Sequence, residues 1–251
     1  MKKILLICAS IALVGTMNAQ LTSKKGENYL PQAGDYSIGA DASSALGYFG
    51  NLFNGATNGG MNFNYTNGGN MITGKMFVTD NMAYRGMVRL GFGSTSTTVM
   101  NGTVEDVTKN SYNAIALGGG LEYRRGSTRL QGYYGFMGMI ALGGSKSTYT
   151  PGASGNPVAG TILESKAGST FGLGIRGFVG VEYFVLPKIS IGGEFGWGLM
   201  LNSTGASSTT VANGTGGTVV TDGGKASSFG FDTDNNAFGV APAAILVNFH
   251  F

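Results

Sequence analysis

Residues 169–185 read STFGLGIRGFVGVEYFV, and their alternation decides the fold. One parity carries Phe171, Leu173, Ile175, Val179, Val181, Tyr183 and Val185. The other carries Gly172, Gly174, Arg176, Phe178, Gly180, Glu182 and Phe184, so both charges share a face. A period of two belongs to a β-strand, whose successive side chains point to opposite sides. At 17 residues the stretch exceeds the roughly 3–10 residues usual in globular sheets.

The pattern resumes after the Leu186-Pro187-Lys188 turn, with Ile189, Ile191, Phe195, Trp197, Leu199 and Leu201 opposite Ser190, Glu194 and Met200. It recurs at 129–142, 112–125 and 83–93, more weakly at 34–42 and 71–79, and again at 236–251, which predicts eight strands. The connections alternate in length. Those at 80–82, 126–128 and 186–188 are tight. Those at 43–70, 94–110, 143–168 and 202–235 are long and rich in Gly, Ser, Thr and Asn.

Composition narrows the class. Gly and Pro together are 50 of 251 residues and aromatics are 11%, below the low-complexity range and unlike a disordered chain. Lys2 and Lys3, the apolar run Ile4 to Val14 and the small residue Ala19 read as a secretory signal over 1–19. The only cysteine, Cys8, lies in that run, so neither disulfide nor thiol chemistry is expected of the mature chain. Without Lys2 and Lys3, 14 basic residues face 13 acidic ones, which removes the electrostatic footprint of a nucleic-acid binder. Outside the signal, no segment approaches the roughly 20 apolar residues of a spanning helix. A membrane-spanning reading therefore requires a closed barrel, the other structure that pairs every backbone group in lipid.

Alternating strands and alternating loop lengths together predict an all-β, eight-stranded antiparallel transmembrane up-and-down β-barrel over 34–251. Short turns and long loops are the outer-membrane arrangement, with the turns periplasmic and the loops extracellular. Residues 20–33 are expected to form a short periplasmic segment. Outward aromatics near strand ends, Tyr36, Tyr84, Tyr123 and Tyr183 toward the turns and Phe92, Phe171 and Trp197 toward the loops, suit the two lipid–water boundaries. The inward parity collects Lys75, Arg85, Arg89, Arg124, Arg129, Arg176 and Lys188 with Asp35, Asp41, Glu122, Glu182 and Glu194. Such mixed charge is expected to pair within a narrow interior that side chains such as Tyr133, Met137 and Met139 fill.

With these features the chain resembles the small eight-stranded outer-membrane β-barrel family of Gram-negative bacteria, which includes the transmembrane domain of outer membrane protein A and its single-domain relatives. In that family the last strand ends in Phe after alternate apolar residues, a signal read by the barrel assembly machinery. Ile245, Val247, Phe249 and Phe251 match it. The resemblance implies an outer-membrane location, contact with its lipid and assembly by that machinery.

Sites for chemistry are sparse. Residues 172–177, GLGIRG, satisfy G-x-G-x-x-G but run into a strand rather than the helix a dinucleotide needs. His250, the only histidine, reads as a polar residue at the barrel mouth, and DTDNN at 232–236 as a solvated loop without the Gly and distal Glu of a calcium site. No catalytic, metal or cofactor role is expected. The leading expectation is a structural or surface-interaction protein whose loops meet other surface proteins or glycans. The alternative is a narrow channel, suggested by inward Gly172, Gly174, Gly192, Gly196 and Gly198; an outer-membrane enzyme is a third class, without a constellation to support it. The apolar segment 44–56 is a candidate partner contact or mouth cover.

Overall fold

The computed structural model describes residues 21–42, 51, 72–152, 156–231 and 243–251. The signal segment, DTDNN and segment 44–56 apart from Asn51 lie outside the described residues. The described strands are β1 (Tyr36–Asp41), β2 (Ile72–Thr79), β3 (Met82–Asn101), β4 (Val104–Arg125), β5 (Leu130–Thr150), β6 (Ile162–Lys166), β7 (Thr170–Leu186), β8 (Ile189–Thr204), β9 (Ser208–Ala212), β10 (Thr218–Asp222), β11 (Ala226–Phe231) and β12 (Ala243–His250). All pair antiparallel. β1, β2, β3, β4, β5, β7, β8 and β12 are neighbours in that order, and β12 returns to β1, so eight strands close a ring. Among the described residues no helix is long and apolar enough to cross a membrane.

The ring holds every strand that the alternation predicts, but the total of eight is corrected to twelve among the described residues. β6, β9, β10 and β11 lie in stretches expected to be loops, and β3, β4 and β5 continue far beyond their expected ends. β3 and β4 remain paired out to Asn101 and Val104. β6, β9 and β10 then extend the sheet from β5, while β11 pairs with the end of β8. The cause is composition: these stretches are polar but rich in Thr and Val, whose branched Cβ favours extended backbone. Gly102-Thr103, between the paired Asn101 and Val104, form the two-residue hairpin turn, with Gly102 at φ 68° in its first position.

Polarity within the ring is inverted. On β7 the outward Phe171, Leu173, Ile175, Val179 and Val181 are exposed, whereas Arg176, Phe178, Glu182 and Phe184 are buried. β12 repeats this, with Ile245, Phe249 and Phe251 exposed, Val247 half-buried, and Leu246, Asn248 and His250 buried. Ser37 pairs with His250 and Ile38 with Phe249, which brings the strand parities into agreement at the seam.

Inward glycines do not leave an open bore. The row Met87, Gly118, Met139, Gly174, Met200 runs across five strands with large and small residues alternating. Met87, Met137, Met139 and Met200 pack with Ala116, Ala141, Tyr133 and Phe178 in one buried cluster. A Cβ on Gly180 would collide with the Tyr133 ring, and one on Gly196 with the Arg176 guanidinium. These two glycines are alcoves occupied by a neighbour's side chain. Gly180→Ala is expected to displace Tyr133 and cost about 1–3 kcal/mol, measured as a lowered urea midpoint, whereas Gly119→Ala, where a Cβ meets nothing within 4 Å, should leave it nearly unchanged.

Candidate functional site

The interior near the tight-turn end is a charge cluster built by strand parity. Lys75 comes from β2, Arg85 from β3, Glu122 and Arg124 from β4, Arg176 and Glu182 from β7, and Glu194 from β8; each is at most 4% exposed. Lys75 Nζ lies 2.8 Å from Glu122 Oε1. Arg85 Nη1 donates to Glu194 Oε2 at 2.5 Å and lies 3.4 Å from Glu122 Oε2. Arg176 Nη1 holds the other Glu194 oxygen at 2.7 Å, and Arg124 pairs with Glu182. Four cations thus meet three carboxylates. Aromatic faces take up part of the imbalance: Arg85 lies 4.4 Å from the Phe178 ring centroid, Lys75 4.8 Å from that of Tyr133, and Arg124 5.3 and 5.6 Å from those of Phe77 and Phe184.

Two of these contacts cross the ring. β3 and β8 are four places apart among the eight ring strands, hence on opposite sides, and Arg85–Glu194 joins them. β2 and β7 are likewise opposite, and Lys75 Nζ comes within 4.0 Å of Glu182 Oε2. Neutral groups complete the set. Ser190 Oγ donates to Glu182 Oε1 at 2.5 Å, Asn248 Nδ2 to the same oxygen at 2.7 Å, and the Tyr133 hydroxyl to Glu194 at 3.3 Å. Buried charges keep their partners because an uncompensated one is costly in a region shielded from water.

The structure brings together Lys75, Arg85, Glu122, Arg124, Arg176, Glu182 and Glu194 and leaves others aside. Arg89 shares the inward parity of β3 but is only half-buried, beyond the cluster toward the outer extension. Arg129 sits at the turn end, where Nε and Nη2 donate to the Phe184 and Val185 carbonyls at 2.9 and 2.8 Å and the guanidinium covers Tyr29 at 3.9 Å. Lys188, at a left-handed φ of 60°, pairs with Asp35, and Asp41 is half-buried at the far end of β1. His250 is buried at the turn end. Its Nε2 is 3.1 Å from Ser190 Oγ, and its ring lies 5.7 and 5.2 Å from those of Phe77 and Phe184. Ser190, Asn248 and the Tyr133 hydroxyl join the set without having been expected as partners of the charges, although all three lie on inward-facing positions of their strands.

Of the outward aromatics, Tyr36, Tyr84, Phe92, Phe171 and Trp197 are exposed, and Tyr123 and Tyr183 are half-buried. Tyr36 stacks on Phe251 across the seam at 6.4 Å, and Tyr123 on Tyr134 at 5.7 Å. Among the described residues no group of three or more His, Cys, Asp or Glu could hold a metal. In comparison with known proteins, no family model matches the chain and no curated protein does.

Glu194→Gln removes one carboxylate from between Arg85 and Arg176, and an unfolding titration should show a loss of about 3–5 kcal/mol. Asp35 titrates differently from an ordinary carboxyl: burial pushes it up, but hydrogen bonds from Lys188 and the Gln32 N–H, with the Lys188 charge, outweigh this and hold it below 3.8. A depressed carboxyl stabilises the fold above its unfolded pKa and loses that contribution as pH falls through the folded value. A ¹³C carboxyl titration should therefore place Asp35 below 3.8, with Lys188→Gln moving it upward.

Proposed function

We propose that the chain is an integral outer-membrane β-barrel with a structural or surface-interaction role, its long polar extensions exterior and its interior filled by side chains. The observation that carries this reading is the inverted wall, with ion pairs inside and Ile38, Leu117, Ile140, Leu173, Ile175, Val179, Ile191, Leu199 and Phe249 exposed around the outside. A soluble monomer rarely exposes a contiguous apolar patch above a few hundred Å², and a closed ring presents lipid with no unpaired strand edge. Height agrees as well. On β5 the outward apolar positions run from Leu130 to Leu142; at about 3.3 Å per residue and a tilt near 45° this is roughly 28 Å, close to the ~25 Å apolar band of such barrels.

Each long strand changes character where that band ends. β5 passes from Ile140-Ala141-Leu142 to Gly143-Gly144-Ser145-Lys146-Ser147-Thr148, and β3 from Leu90-Gly91-Phe92 to Gly93-Ser94-Thr95-Ser96-Thr97-Thr98. Polar strands beyond an apolar band suit the exterior surface and contact with other surface proteins or glycans. The methionine layer and the occupied glycine alcoves favour this reading over a narrow channel. Expressed with its signal, the protein should remain in outer-membrane pellets after alkaline carbonate extraction, and purified protein should give no reproducible conductance steps in planar bilayers. Recovery in the soluble fraction would defeat the membrane reading, and clear steps the filled interior.

A further inference from the structure

Residues 21–35 lie across the tight-turn end of the ring and touch each of its three turns. The Ala33 N–H donates to Asp80 Oδ1 at 3.0 Å in the β2–β3 turn. Tyr29 lies under the Arg129 guanidinium at 3.9 Å, beside the β4–β5 turn. In the β7–β8 turn the Lys188 N–H donates to the Tyr29 carbonyl at 3.3 Å, and the Lys188 ammonium pairs with Asp35. The segment is internally organised: a bridge joins Thr22 to Asn28, and Ser23 Oγ accepts from the Lys25 and Glu27 N–H groups at 3.2 and 3.1 Å. Pro31 is buried. Beneath it is a cavity of about 230 Å³ that Leu30, Pro31 and Gln32 line from the segment and Asn81, Arg124 and Gln131 from the ring. Arg124 and Gln131 are 2% and 4% exposed and belong to the inward face, so the cavity adjoins the charged interior.

We propose that residues 21–35 are a releasable strap that shuts the tight-turn mouth and controls the entry of small charged solutes to the cavity beside Arg124 and Gln131. Its attachments are of the kind that opens locally. The Lys188 and Asp35 side chains are 30% and 22% exposed, Tyr29 is half-buried, and among the described residues the segment's backbone bonds to a ring strand run from Gly34 and Asp35 to the Phe77 backbone, at 2.8 and 2.9 Å. Release at Tyr29 and Asp35 therefore uncovers the mouth without breaking the ring, since the Asp35 carbonyl, not its side chain, accepts from Phe77. The inference concerns the turn end alone and holds whether or not the outer wall faces lipid.

The test places one thiol under the strap. In a Cys8→Ser background, the full-length chain with Gln131→Cys is treated with a sulfonate-bearing methanethiosulfonate reagent, and Ser228→Cys on the exposed β11 serves as the open reference. The closed strap should make the Gln131→Cys site react much more slowly than the reference. Tyr29→Ala with Asp35→Asn should accelerate it by about tenfold or more, because labelling through local opening follows the open population. Asp35→Glu, which keeps the charge, should retain most of the slow rate, and an unchanged Ser228→Cys rate and unfolding midpoint in the released variant exclude loss of the fold. Equal Gln131→Cys rates with the strap intact and released, or a parent rate equal to the reference, would overturn the proposal.

Discussion

The meeting of β12 with β1 is the constraint on which the rest depends. Tyr36 and Phe251 exchange N–H···O=C hydrogen bonds of 2.8 and 2.9 Å, and five further residue pairs continue the seam to Asp41 and Leu246. An open sheet could bury one face against a second layer and leave its edges to solvent. Closing it removes those ring edges and turns one face inward on a space too small for a second layer. Every side chain must then be either part of a narrow interior or part of an outer wall, and a one-residue slip at the seam would exchange the two.

The interior solves its geometry by alternating volume. Eight strands enclose a width that side chains just fill, so a row of large residues all round would overpack and a row of small ones would leave a void. Met87, Met139 and Met200 are separated along one row by Gly118 and Gly174, and methionine suits such irregular gaps because it is unbranched and flexible. Closer to the turns the filling is ionic. There the shape requirement is met by long guanidinium and carboxylate side chains that must satisfy one another, which explains why the cationic and acidic residues come from strands on both sides of the ring.

Most of the ring was legible from period two alone, because one buried and one exposed face impose strict alternation on β7, β8 and β12. Parity also placed seven of the charged residues in the cluster. The other five of that parity, Asp35, Asp41, Arg89, Arg129 and Lys188, lie outside it, four of them at or beside strand ends and Arg89 farther along β3. The four extra strands escaped for a different reason. Stretches such as Ser94–Val99 have no apolar face to reveal a period, and their polarity reads as loop; the cues that remained were the branched side chains of Thr and Val and the turn glycine Gly102. The pairing of a guanidinium on β3 with a carboxylate on β8 was not legible at all, since sequence gives a residue's face but not what it meets across the ring.

The cross-ring ion pairs have a mechanical consequence. A thin cylinder of strands is stiff along its hydrogen-bonded circumference but soft toward ovalisation, because a squeeze along one diameter is relieved by bulging along another. Arg85–Glu194 and the longer approach of Lys75 to Glu182 lie along two such diameters, as spokes do in a wheel. The two spokes join neighbouring strands on one side to neighbouring strands on the other, so any distortion that elongates the ring in that direction has to stretch both. Electrostatics from within therefore resists that elongation.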